Sequence, residues 1–130
     1  MIITMSDRAA AGVYEDKSGE LAKQMLAQFF ADKHWRWQFE SVLLPDDAEQ
    51  LLQCLRRAVQ EKVDFIFTLG GTGVGVRDIT PETVAKVCNK FLPGIMEHVR
   101  LKYCAKNPAA LLSRSIAGVV GTTQIYTLPG

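Results

Sequence analysis

Hydrophobic positions along the chain switch between two periods, and the switches mark its elements. Met1 to Met5 is a short apolar run that reads as a strand, and the polar, Ala- and Gly-containing stretch from Ser6 to Lys17 reads as a loop, long for a plain connection. From Ser18, placed to cap a helix, Leu21, Met25, Leu26, Phe29 and Phe30 recur at helical spacing. Trp35, Trp37 and Phe39 then alternate with Arg36, Gln38 and Glu40, a period of two that predicts a half-buried edge strand running on through Val42-Leu43-Leu44 to Pro45. Leu51, Leu52, Leu55, Ala58 and Val59 return to helical spacing behind Asp46, Asp47 and Glu49, acids that suit a helix N-terminus.

Asp64 to Leu69 is nearly continuous in apolar residues, as a central parallel strand buried on both faces would be. Thr80-Pro81-Glu82 gives a cap, a first-turn proline and an acid, with Val84, Val87 and Cys88 as the buried stripe of a further helix. Pro93-Gly94 predicts a break, and Ile95, Met96, Val99 and Tyr103 a helix ending before Pro108. Ser115 to Val120 and Thr122 to Leu128, divided at Gly121, predict a closing hairpin or two adjacent strands. Strands alternating with helices imply one α/β layered domain with a mostly parallel sheet flanked by helices.

Composition narrows the function classes. Fifteen Lys and Arg against fourteen Asp and Glu leave a formal charge of +1, so no global field draws nucleic acid or an anionic membrane, and any anion site must be local. Cys54, Cys88 and Cys104 are odd in number, contain no C-x-x-C pair and fit no zinc or disulfide framework, which points to packing thiols in a reducing cytoplasm. The N-terminus has neither the basic region nor the apolar stretch of a signal peptide, and no apolar run approaches the roughly 20 residues of a membrane span. His34 and His98 lack metal-ligand spacing and take no role. The Trp35, Trp37 and Phe39 face, with no basic cluster beside it, reads as core or subunit interface rather than a base-stacking platform.

The chemistry concentrates between Leu69 and Glu82. Gly70-Gly71-Thr72-Gly73-Val74-Gly75 follows a buried strand and precedes a helix, an arrangement in which backbone N–H groups can be aimed at an anion. No Lys-Ser or Lys-Thr follows the glycines, which excludes a P-loop, and Val76 stands where a dinucleotide fingerprint beginning at Gly71 needs glycine. A glycine-rich turn without a ligand has the same composition. Arg77 is placed to meet a phosphate and Asp78 to take Mg²⁺ or a polar ligand group. If strands two and three share a sheet edge, Asp46 and Asp47 converge with Asp78 on a Mg²⁺-nucleotide; otherwise they simply cap a helix. Ser6-Asp7-Arg8 and Asp16-Lys17 flank the same expected crevice, although Lys17 is equally an ordinary exposed lysine. Ser113-Arg114 offers a hydroxyl and a guanidinium in what otherwise reads as a polar turn.

Gly70-Gly71-Thr72-Gly73 followed by Arg77-Asp78-Ile79-Thr80-Pro81-Glu82 resembles the signature of the molybdopterin adenylyltransferase family, the MogA- and MoaB-like proteins with the gephyrin G domains. Ser6-Asp7-Arg8 with Tyr14 to Gly19, Pro45-Asp46, Pro93-Gly94, Leu112 to Ser115 and Leu128-Pro129-Gly130 are similar to further motifs of that family, in order along the whole chain. The resemblance implies a three-layer α/β sandwich and a cytoplasmic homotrimer. It implies transfer of AMP from Mg-ATP to the terminal phosphate of molybdopterin, with pyrophosphate released and the product passed to a molybdenum-insertion partner. Asp46 and Asp78 are then the catalytic and Mg²⁺-binding acids. Gly70, Gly71, Thr72, Gly73 and Arg77 bind substrate together with Ser6, Asp7, Asp16, Lys17 and Ser113, the last near the pterin. Val74-Gly75-Val76 and Thr127 depart from the common pattern, and relatives continue past Gly130 into helical sequence, so residues 1–130 are expected to be one molybdopterin-binding domain without that segment. Two other readings stand beside the enzyme: a non-catalytic molybdopterin-binding or scaffold domain, and a domain of related fold acting on another phosphorylated substrate.

Overall fold

The structure is a computed structural model that describes residues 1–130. Its strands are β1 (Ile2–Met5), β2 (Ser41–Leu44), β3 (Phe65–Leu69), β4 (Lys90–Phe91), β5 (Ala117–Val120) and β6 (Thr123–Leu128). Its α-helices are α1 (Asp7–Ala10), α2 (Lys17–Asp32), α3 (Ala48–Gln60), α4 (Thr80–Ala85) and α5 (Pro93–Cys104), with a 3₁₀ turn at Pro108–Leu112. One six-stranded sheet runs in the order β2-β1-β3-β6-β5-β4. The pairings from β2 through β6 are parallel and the last two antiparallel. The crossovers β1-α2-β2 and β2-α3-β3 run in opposite directions along the sheet, so right-handed connections put α2 and α3 on opposite faces and give three layers.

Alternation along the central strands decides what each face buries. Met1, Ile3, Met5, Ile66 and Ile125 point to one side, where Leu51, Leu55 and Ala58 of α3 and Val84 of α4 complete the core. On the other side α2 packs against β1. The contact is close at its start, because a Cβ on Gly19 would lie 2.7 Å from Thr4 Oγ1.

Several expectations are corrected. Residues 35–40 form no strand: β2 begins at Ser41 opposite Ile2, and β1 has only Met1 before it to offer a partner. Trp35 and Trp37 are 55% and 47% exposed, so they are not core. They join Phe30, Phe39, Phe65, Phe67 and Tyr126 in a chain of ring contacts. The loop from Ser6 to Lys17 contains α1, capped by Ser6, and α2 is capped by Asp16 rather than Ser18. Leu21, Met25 and Phe29 of α2 are exposed, leaving Leu26 and Phe30 half-buried. Thr80 does not cap α4, since its side chain is fully buried and its hydroxyl has no partner. Pro93-Gly94 opens α5 instead of breaking the chain, which suits a residue whose missing N–H costs nothing in a first turn. The short edge strand β4 carries no periodic signal in two residues. Strands two and three do not adjoin, because β1 lies between them.

Candidate functional site

The carboxyl ends of β1, β2 and β3 lie side by side, and the loops that follow them meet there. Two of these loops are stitched together reciprocally. Asp46 N–H donates to Asp7 Oδ1 at 2.9 Å, and Asp7 N–H donates to Asp46 Oδ2 at 3.4 Å. Arg77 reaches across from the third loop to Asp7 Oδ2 at 2.5 Å. Ser6 Oγ accepts from Ala9 N–H as the cap of α1 and lies 2.8 Å from the Tyr14 hydroxyl.

The glycine loop lies beside these acids. Gly71 holds φ at +62°, and a Cβ there would fall inside contact distance of Thr80 Oγ1 and 3.6 Å from Asp46 Oδ1. Farther along, the Asp78 carboxylate accepts from Gly75 N–H at 2.7 Å, and a Cβ on Gly73 or Gly75 would stand 2.9 Å from Asp78 Oδ2. At Gly71 the left-handed backbone and buried Thr80 call for glycine, whereas at Gly73 and Gly75 a side chain would displace the Asp78 carboxylate from the loop. Gly70 N–H is taken by Leu128 O, Asp78 N–H by Gly75 O and Thr80 N–H by Gly71 O, whereas the amides of Gly71, Thr72, Gly73 and Val74 donate to no acceptor in the chain. Successive free amides beside a cation such as Arg77 form an anion-binding concavity.

Thr72 is buried, with its hydroxyl 3.5 Å from Ser113 Oγ, and Ser113 Oγ is in turn 2.8 Å from Ser115 Oγ. The structure therefore brings Ser6, Asp7, Asp46, the loop from Gly70 to Gly73, Arg77, Asp78 and Ser113 into one contiguous region. Asp16 and Lys17 stand apart from the carboxylates. They line a cavity of about 160 Å³ with Thr4, Ser6 and Tyr14, and Asp16 Oδ1 is committed to Gly19 N–H at 2.8 Å. Asp47 caps α3 by accepting from Gln50 N–H at 2.9 Å, so it does not converge with Asp78. A cavity of about 660 Å³ lies at the opposite end of the sheet among Trp35, Trp37 and Phe39 and has no part in this region.

Burial pushes the Asp46 carboxyl above its ordinary range, with Asp7 and Asp78 nearby adding to the shift and the Asp7 amide and Arg77 opposing it. Such a carboxylate is short of positive partners. One oxygen of each acid, Asp46 Oδ1 and Asp78 Oδ1, accepts no hydrogen bond from the chain. Two carboxylates with open oxygens beside a phosphate cradle are a donor set that fits Mg²⁺, which takes one or two carboxylates and completes its shell with water and substrate phosphates. The chain alone assembles no cluster of three ligating side chains.

Three residues named in the sequence only as a polar turn, a helix cap and part of a family motif take roles in the site that the sequence did not indicate. Arg114 bonds Gly73 O and Asp78 O across 41 and 36 residues, a reach that leaves no local signal. Tyr14 and Thr80 enter through tertiary packing alone. The class defined by this geometry is an α/β domain whose parallel strands end in a glycine loop and two acids, at the edge where open parallel sheets bind their ligands. The chain belongs to the family described as a probable molybdopterin binding domain, which matches residues 1–130. It is 37% identical to a molybdopterin adenylyltransferase of Helicobacter pylori strain J99, over 99% of this chain and 72% of that protein. A solved structure of MogA superposes with a TM-score of 0.90 at 36% identity, covering 99% of this chain and 82% of the other. The MoaB structure from Thermus thermophilus gives 0.84 at 37% identity, with coverage of 99% and 79%. No helix of the protein is long and apolar enough to cross a membrane.

Proposed function

We propose that this chain is a single molybdopterin-binding domain that works in molybdenum cofactor biosynthesis, transferring AMP from ATP to the terminal phosphate of molybdopterin with release of pyrophosphate. The observation that carries the reading is the run of unpartnered amides at Gly71, Thr72, Gly73 and Val74, flanked by the open oxygens of Asp46 and Asp78. In an attack of the pterin phosphate on the α-phosphorus of ATP, the loop amides hold phosphate oxygens and Arg77 offsets negative charge. Ser113, beside Thr72, lies within reach of the second substrate. Asp46 and Asp78 are the residues that would hold Mg²⁺, which when bound neutralises phosphate charge. Catalysis of this kind is positioning and charge stabilisation, so rigid backbone donors are the main contribution of the protein. Asp16 and Lys17, across Ser6, are assigned to the outer part of the substrate site.

The reading includes a homotrimer in the cytoplasm that hands its product to a molybdenum-insertion partner. The exposed Leu21, Met25 and Phe29 of α2 support an interface in such an assembly. The decisive experiment measures Mg²⁺-dependent pyrophosphate release from ATP with and without molybdopterin, for the native chain and for Asp78→Asn. Release that needs both the pterin and Asp78 is the expected result. Pterin binding without any release assigns a binding module instead, and full activity in Asp78→Asn removes that acid from the mechanism.

A further inference from the structure

Arg114 takes no direct part in the chemistry above, yet its side chain spends all three guanidinium nitrogens on the glycine loop and its flank. Nε donates to Gly73 O at 2.5 Å, one terminal nitrogen to Asp78 O at 2.6 Å and the other to the Glu82 carboxylate. Its backbone N–H donates to Thr72 O at 2.8 Å. The segment carrying it is fixed from behind, where Arg100 donates to Ser113 O at 3.3 Å and Ser115 O at 2.9 Å. One residue therefore binds the carbonyls of Thr72 and Gly73 at the start of the loop and of Asp78 at its end.

Between those points the loop is otherwise held by the mutual bonds of Gly75 and Asp78 and by Arg77 on Asp7. Glycine gives no side chain to restrain its backbone, and Val74 and Val76 are exposed. Peptide carbonyls that turned toward a bound phosphate would repel it, and a carbonyl already engaged by a cation does not turn. Pinning Asp78 O also fixes the backbone from which the Asp78 carboxylate projects. Arg114 is itself neutralised by Glu82, with its planar fork committed to carbonyls, so it is not a spare cation for the substrate.

We propose that Arg114 is a positioning residue for the adenylyl transfer proposed above, on which this inference rests: its guanidinium holds the carbonyls of Gly73 and Asp78 away from the ligand and keeps the loop amides and the Asp78 carboxylate in place. The test compares Arg114→Gln, Arg114→Lys and Glu82→Gln with the native chain in two readouts. The first is hydrogen exchange, without substrate, at the bonded amides of Gly75, Asp78 and Thr80. The second is kcat and KM for pyrophosphate release.

Arg114→Gln is expected to speed exchange at those three amides by at least about tenfold and to lower kcat on the order of 100-fold. Arg114→Lys recovers little, because a single ammonium does not reproduce a fork spanning two carbonyls. Glu82→Gln leaves both carbonyl bonds intact and stays within about threefold of native in kcat. Unchanged exchange in Arg114→Gln overturns the proposal, as does a Glu82→Gln loss equal to that of Arg114→Gln. If Arg114→Gln fails to fold, Arg114→Lys carries the same exchange comparison. If the native chain releases no pyrophosphate, the adenylyl-transfer reading fails by itself, and exchange still decides whether Arg114 holds the loop.

Discussion

Gly71→Ala perturbs the most constrained point of the glycine loop, and its cost can be worked out from the structure. The backbone there sits at φ +62°, where a Cβ costs about 1 to 2 kcal/mol relative to glycine. The new methyl also meets Thr80 Oγ1 inside contact distance and stands 3.5 Å from Thr80 Cβ. Thr80 is fully buried and cannot swing away freely, so overpacking adds about 1 to 3 kcal/mol. The reduced freedom of the unfolded chain returns about 0.4 to 1 kcal/mol, leaving a net loss of about 2 to 4 kcal/mol. For a domain of this size that lowers Tm by roughly 10 °C. The collision is separable from the backbone cost by a double-mutant cycle with Thr80→Ala, which removes the obstructing oxygen. That hydroxyl is buried without a partner and its loss costs little, but Thr80→Ala also removes a fully buried methyl, so the single variant is expected to cost about 1 kcal/mol. In the Thr80→Ala background Gly71→Ala should cost only about 1 kcal/mol, measured by denaturant unfolding. Equal costs in the two backgrounds would refute the packing of Gly71 on Thr80, and a cost below about 0.5 kcal/mol would refute the left-handed backbone as well.

Two further outcomes follow from charge. Asp46 has a folded-state pKa above its ordinary value of 3.8, so its protonated form contributes stability that is fully present below that value and is lost as pH rises through the raised one. Asp46→Asn imitates the protonated acid: it should melt higher than native near neutral pH, with the gap closing as pH falls toward 3.8, and a lower melting point near neutrality would contradict the desolvation of this carboxyl. Arg77 pairs with Asp7 at 2.5 Å, but the side chains are 67% and 43% exposed, so Arg77→Ala should cost at most about 1 kcal/mol in stability. Its effect belongs in the substrate site, as a rise in the KM for ATP on the order of tenfold, and an unchanged KM would remove Arg77 from phosphate binding.

What the sequence discloses depends on the range of the interaction responsible. Helix α3 is readable because Leu51, Leu55 and Ala58 bury one stripe of a regular period, and β3 because its apolar run is buried on one face and half-buried at Phe65 and Phe67 on the other. The hairpin of β5 and β6 turns at Gly121, with φ +56°, where glycine announces the bend. The same periodicity misleads at Trp35, Trp37 and Phe39, since alternation supplies faces but no ladder partner. It misleads again in α2, where the apolar spacing of Leu21, Met25 and Phe29 is real but these side chains are exposed. Caps show a finer limit. Asp16, Ser18, Ile79 and Thr80 all stand near helix starts, and the choice between them rests on whether a side chain turns to the helix amides or is buried in the neighbouring layer, as Thr80 is.

The site divides along the same line. Glycines and acids announce themselves because the backbone conformations and charges they permit are properties of single positions. Their coordination is a product of topology: β1 lies between β2 and β3, so Asp7 at its end touches Asp46 from one neighbouring loop and Arg77 from the other. With β1 between strands two and three, Asp46 is tied to the third loop through Asp7 and Arg77, and the bare Gly71 backbone lets that loop approach Asp46. A carboxylate held by a neighbour's backbone amide cannot relax without moving the loop that holds it. A change at the end of β1 therefore reaches Asp46 directly and Asp78 through its neighbour Arg77. Asp7 is accordingly the position from which this site is organised, although its own carboxylate is committed to Asp46 N–H and Arg77 rather than left open for a ligand.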